Sequence, residues 1–141
     1  MYGDTDVVRA LARQLRARGA DIRSEADDLL GRAEAVPWSG LAADAMRRLA
    51  HEHAGWLRRC AAEHESAAEA LERHARQVDH LEEVIAAIER KVRHLLDSPA
   101  GGLAGLVDHV VPDSVGRWLH DFDPPPPGSL EWLDVHLPRS A

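Results

Sequence analysis

Nine histidines and one cysteine are the side chains of this 141-residue sequence best suited to holding a metal or attacking an electrophile. A helical zinc pair of the HExxH kind needs two histidines one turn apart, so that both rings leave the same face. His51-Glu52-His53 does not meet that condition, because residues two apart on a helix point in different directions. His53 and His64 are eleven residues apart and His74 and His80 six, so neither pair forms a chelate. Surface or interface placement is therefore the expectation, with His53 and His74 on an apolar stripe where they could sense pH. Cys60 can form neither an intrachain disulfide nor a thiolate cage, and mid-helix a free thiol behaves as a small buried hydrophobe. Ser39 stands where a helix begins and reads as a cap, not a nucleophile. There is no GxGxxG, P-loop or GxSxG pattern, and Gly101-Gly102 reads as a helix stop. No metal, no cofactor and no enzymatic activity are expected.

The elements that position these residues are helical. Aromatics make up 4% of the chain and hydrophobic residues 45%, weighted to Ala, Leu and Val, a balance that favours thin helix packing over a β core. Lys+Arg 17 against Asp+Glu 24 gives a net charge of -7, which disfavours a nucleic-acid binder. No apolar run approaches the ~20 residues needed to cross a bilayer, so no membrane insertion is expected. The opening residues carry no basic region followed by a hydrophobic stretch, so a Sec-type leader is not expected and synthesis is placed in the cytoplasm.

The first helix is predicted over about Asp4 to Ala35. Asp4, Thr5 and Asp6 are cap candidates, and Val8, Leu11, Leu15, Ile22, Ala26, Leu29 and Ala33 form its apolar stripe. Gly19 costs this helix roughly 1 kcal/mol relative to Ala, which suggests a bend or a close approach there. Val36-Pro37-Trp38-Ser39-Gly40 breaks the pattern as a tight turn. A second helix is predicted from Leu41 to Asp97, with Met46, Leu49, His53, Trp56, Cys60, Ala67, Leu71, His74, Val78, Leu81, Ile85, Ile88, Val92 and Leu95 as its stripe. At 1.5 Å per residue it is a rod of roughly 85 Å, against roughly 45 Å for the first. Arg9, Arg13, Arg16, Arg18 and Arg23 form a solvated face able to pair with the Glu-rich second helix.

Two short amphipathic helices are expected after Ser98-Pro99. One carries Leu103, Leu106, Val107, Val110 and Val111; the other carries Val115, Trp118, Leu119 and Phe122 and is capped by Asp113 or Ser114. Pro124 to Pro127 reads as an extended spacer, and the tail keeps Leu130, Trp132, Leu133, Val135 and Leu137, which need something to receive them. The expected organisation is a helical hairpin over residues 1–98 and an extension over residues 99–141. An antiparallel hairpin pairs the first helix with only about half of the second. The remainder, Leu71 to Leu95, needs cover from the tail or from a partner chain.

A helix of about thirty residues, a Trp-x-Gly turn and a second Ala-rich helix resemble the WXG family of type VII (ESX) secretion proteins. The residues that carry the likeness are Trp38-Ser39-Gly40, followed by Leu41-Ala42-Ala43-Asp44-Ala45-Met46. The stretch Gly3 to Ala12 looks like the actinobacterial variant with a secretion-signal domain, and the likeness covers about Asp4 to Asp97. It implies an all-α protein: an antiparallel hairpin with a long second helix, here extended by short helices and a Pro-rich tail. It also implies a substrate or escort that pairs with another WXG-like protein, or with itself, and can leave the cell by a type VII system. Leu49, Trp56, Leu71, Val78, Leu81, Ile85 and Ile88 would supply the contact face. Gly40 is expected to permit close helix approach, and Trp38 to pack across the helix ends. The family's export element, a Tyr followed after three residues by an acid, has no counterpart after the second helix, since the one tyrosine is Tyr2. A partner would then carry it, or the chain is not exported by itself. The other reading is a cytosolic coiled-coil-like adaptor that self-associates through the same stripe, with no link to secretion.

Overall fold

The computed structural model describes residues 4–97, 117, 118 and 120–137. Among these, all regular structure is helical: α1 spans Thr5–Ala35, α2 spans Leu41–Asp97, and a short 3-10 helix covers Leu130–Asp134. The chain divides into one compact unit over Asp4–Gln77 and a second that includes Val78–Ala141, and α2 contributes residues to both.

Asp4 starts α1. Its carboxylate accepts from the Asp6 N–H at 3.0 Å, and its carbonyl accepts from the N–H groups of Val7 and Val8 at 3.0 and 3.3 Å. Val36, extended ahead of Pro37, ends the helix. At the other side of the turn the expected cap moves by one residue. The Asp44 N–H donates at 3.0 Å to the carbonyl of Gly40, so Gly40 and not Ser39 holds the position before α2. Its φ of +108° lies where L side chains are strained, which accounts for glycine at this point. Close helix approach does not account for it, because a Cβ there would meet nothing within 4 Å. The Arg47 guanidinium donates to the carbonyls of Val36 and Trp38, both at 3.1 Å, and holds the turn against the start of α2. The Trp38 side chain itself is half-exposed.

Small residues form the buried seam of this unit. In α1 it consists of Ala12, Gly19, Ala26 and Ala33, and in α2 of Ala43, Ala50, Ala54, Ala61, Ala68 and Ala75. Steps of seven predominate, with one step of four at Ala50–Ala54, the repeat of a coiled coil with a single local shift in phase. Side chains this short bring the backbones together. A Cβ added to Gly19 would stand 3.2 Å from the Ala61 carbonyl oxygen and 3.3 Å from Cγ of Glu65. The expected large-residue stripes are therefore corrected: Ala26 and Ala33 are buried as read, but Leu11 and Leu49 are about half exposed and Trp56 more so. They flank the seam because branched or aromatic side chains would hold the helices too far apart.

In the second unit, Ile85 and Val92 of α2 bury against Trp132, with Ile88, Trp118, Phe122, Val135 and Leu137 packed around them. Trp118 and Phe122 stack at 4.4 Å between ring centroids, and Phe122 meets Trp132 at 6.4 Å, tilted. Residues 117, 118, 120 and 121 are helical, in the second of the two short helices expected. The Pro-rich stretch is more than a spacer. It ends in a turn at Gly128, whose φ is +73°, and the Pro126 carbonyl accepts from both the Ser129 N–H at 3.0 Å and the Trp132 indole N–H at 2.9 Å. The expected helix over Leu103–Val111, the cap at Asp113 or Ser114 and the last four residues lie outside the described residues.

Candidate functional site

Four cross-helix contacts run along one side of the alanine seam in the Asp4–Gln77 unit. Arg16 forms a two-pronged pair with Glu72, one prong at 3.0 Å. Arg23 does the same with Glu65 at 3.0 and 2.7 Å. Asp27 meets Arg58 at 2.7 Å, and Glu34 lies 3.4 Å from the His51 ring. Numbers rise along α1 as they fall along α2, so the two helices are antiparallel in this unit. The basic run read as a solvated face able to pair with Glu-rich surface does pair at Arg16 and Arg23. The hydrogen bond from Arg23 holds the Glu65 carboxyl below its ordinary pKa, and the one from Arg16 does the same for Glu72. Both guanidiniums are shifted upward in return.

At 100° per residue, Arg16, Arg23, Asp27 and Glu34 stand on one side of the α1 seam, and Leu11, Leu15, Ile22 and Leu29 on the other. On α2, His51, Arg58, Glu65 and Glu72 stand on one side, and Met46, Leu49, Cys60 and Leu71 on the other, while Trp56, about 150° from the seam, faces outward on the back of the helix. The two polar sides bond to each other across the seam. The two apolar sides consequently share the opposite face of the hairpin. On that face Leu11 is 46% exposed and Leu49 52%, while Leu15, Ile22, Leu29, Met46, Cys60 and Leu71 are half-buried. Fully burying an exposed leucine stabilises by about 1.5–3 kcal/mol, and Leu11 and Leu49, about half exposed, keep roughly half of that for association.

The residues singled out in the sequence thus fall into separate places. Leu49 and Leu71 share the apolar flank of the hairpin, and Trp56 stands apart from them on the outer side of α2. In the other unit Val78 is half-buried and Leu81 is 39% exposed, whereas Ile85 and Ile88 are already occupied by the C-terminal segment. Trp38, Ser39 and Gly40 form the helix–helix link. Leu11, Leu15, Ile22 and Leu29 of α1 also belong to the candidate face, beyond the second helix from which the sequence alone draws it, and their spacing of four, seven and seven residues is the signal that places them together.

Chemistry-bearing groups stay dispersed. The His64 Nδ1 lies 2.9 Å from the Cys60 carbonyl oxygen one turn earlier and 3.9 Å from the Cys60 Sγ. Among the described residues, no group of three or more His, Cys, Asp or Glu is placed to hold a metal ion. No described helix is long and apolar enough to cross a membrane. Comparison of the chain with protein-family models, with curated proteins and with solved structures finds no match.

Proposed function

We propose that this chain is a non-enzymatic pairing protein of the WXG kind, a substrate or escort in type VII secretion that acts by helix–helix packing. Its apolar flank, with Leu11 and Leu49 at the exposed positions, docks on a second helical hairpin, another WXG-like protein or a second copy, to give a four-helix bundle. The observation that carries this reading is the asymmetry of the hairpin, with ion pairs along one side of the seam and half-buried to exposed large apolar residues along the other. The Trp38-Ser39-Gly40 link between two long helices supports the WXG likeness. Ile85 and Ile88 drop out of the contact set because the C-terminal segment covers them.

The test has two arms. Co-expression with the helical proteins encoded beside it should give a stable complex of two chains. In a strain with an active type VII system the pair should then be recovered from the culture medium, and be lost from it when the secretion ATPase is deleted. Recovery from the cell pellet alone, with and without the neighbour, counts against export and leaves the self-associating cytosolic adaptor as the better account.

A further inference from the structure

The C-terminal residues 122–137 have the construction of a ligand seated on a receptor. Their folding is largely their own. The Ser129 N–H and the Trp132 indole N–H both donate to the Pro126 carbonyl, the Ser129 Oγ accepts from the Glu131 N–H at 3.2 Å, and the Val135 N–H donates to the Trp132 carbonyl at 3.3 Å. Gly128 at φ +73° makes the turn that these bonds close. What the segment presents to α2 is one deeply buried anchor, Trp132 at 5% exposure, with Val135 and Leu137 beside it. The receptor is the face of α2 formed by Ile85, Ile88 and Val92, with the Glu89 carboxylate accepting from the Gly128 N–H at 2.5 Å. A charged acceptor aimed at a turn amide, next to an apolar seat for an indole, is the anatomy of a peptide site with a single hot spot.

We infer that the Ile85–Val92 face of α2 is a binding site for a Trp-anchored turn peptide, filled in this molecule by the chain's own residues 122–137 and able to take the same segment from a second copy. While the site is filled in cis, this stretch of α2 is withheld from other chains. When the segment leaves, the site opens to the tail of another molecule. The inference stands apart from the secretion reading, since it uses only contacts within the Val78–Ala141 unit.

The probe is a fluorescently labelled synthetic peptide of residues 122–137, titrated by anisotropy against full-length protein. Trp132→Ala in the full chain weakens the cis segment and should give saturable binding of the wild-type peptide, at least tenfold tighter than binding to the wild-type chain, whose site is occupied. A peptide carrying Trp132→Ala should not bind either chain. Should Trp132→Ala reduce the helicity of the chain, Gly128→Val, which strains the turn and leaves every residue of the receptor face in place, is used instead with the same expectation. Equal affinity for the wild-type and variant chains, or no saturable binding to a fully helical variant, overturns the inference.

Discussion

Three helical glycines provide an internal test of how closely the two helices of the hairpin approach. Replacing a glycine in a helix interior with alanine stabilises by about 1 kcal/mol where nothing opposes it. At Gly55 the new Cβ would meet only the mobile end of Arg59, Nη1 at 3.8 Å, and at Gly31 it would meet nothing within 4 Å. Both Gly55→Ala and Gly31→Ala should therefore raise stability, by about 1 kcal/mol at the central site and less near the end of α1. At Gly19 the methyl would press on the Ala61 backbone oxygen at 3.2 Å, an atom that moves only if the helix moves. Overpacking of a tight contact costs about 1–3 kcal/mol, enough to cancel the propensity gain or reverse it. Urea melts followed by far-UV circular dichroism should place Gly19→Ala at least about 1 kcal/mol below Gly55→Ala. Gly19→Leu should lie lower still. A Gly19→Ala chain as stabilised as Gly55→Ala would refute the small-residue seam as the determinant of helix spacing.

Other perturbations have definite expected outcomes. Trp132→Ala removes the one buried aromatic anchor of the C-terminal segment and should cost that segment's docking about 3–5 kcal/mol, read as loss of amide-exchange protection at Trp132 and Val135 while residues 41–77 stay protected. Asp4→Ala deletes the cap of α1 and should destabilise by about 1 kcal/mol, with fraying confined to the first turn in exchange measurements. Glu65 and Glu72 have folded-state pKa values below their unfolded ones, so their stabilisation is full above the usual carboxylate range and is lost as pH falls through the depressed values. Acid titration of the double variant Glu65→Gln, Glu72→Gln should show a flatter decline in stability over that window than the wild type, and an unchanged slope would remove these pairs from the acid response.

The helix limits were legible because punctuation and period agreed. Asp4 opens α1, Pro37 forces Val36 out of it, and three-and-four spacing, with one turn skipped between Cys60 and Ala67, carries α2 almost to Asp97. The seam was not legible in the same way. A reading that weights large apolar residues follows Leu49, Trp56 and Leu71, whereas the packed positions are the alanines beside them, chosen for how little room they take. Alanine is frequent on every face of these helices, so its seven-residue repeat shows only when residues are sorted by size instead of hydrophobicity. The Gly40 cap was missed for a related reason. Ser39 offers a capping hydroxyl, but the backbone turn needs the positive φ one residue later. In the tail, the unmatched apolar residues signalled that something must receive them. The Pro126 carbonyl that organises them is a backbone acceptor with no signature of its own. The candidate face was half visible, through its α2 residues, and became a face only when the ion pairs fixed which sides of the two helices lie together.

The account depends on that face being used. Sedimentation equilibrium of the full chain, alone and mixed with the helical proteins encoded beside it, measures this directly when run in parallel on Leu49→Glu, a change at a 52%-exposed position that leaves the alanine seam untouched. The wild type should sediment as a two-chain species with itself or with one of those proteins, and Leu49→Glu as a single folded chain. A wild type that remains a single chain at every concentration and in every mixture contradicts pairing through this face, as does a two-chain species that Leu49→Glu leaves intact.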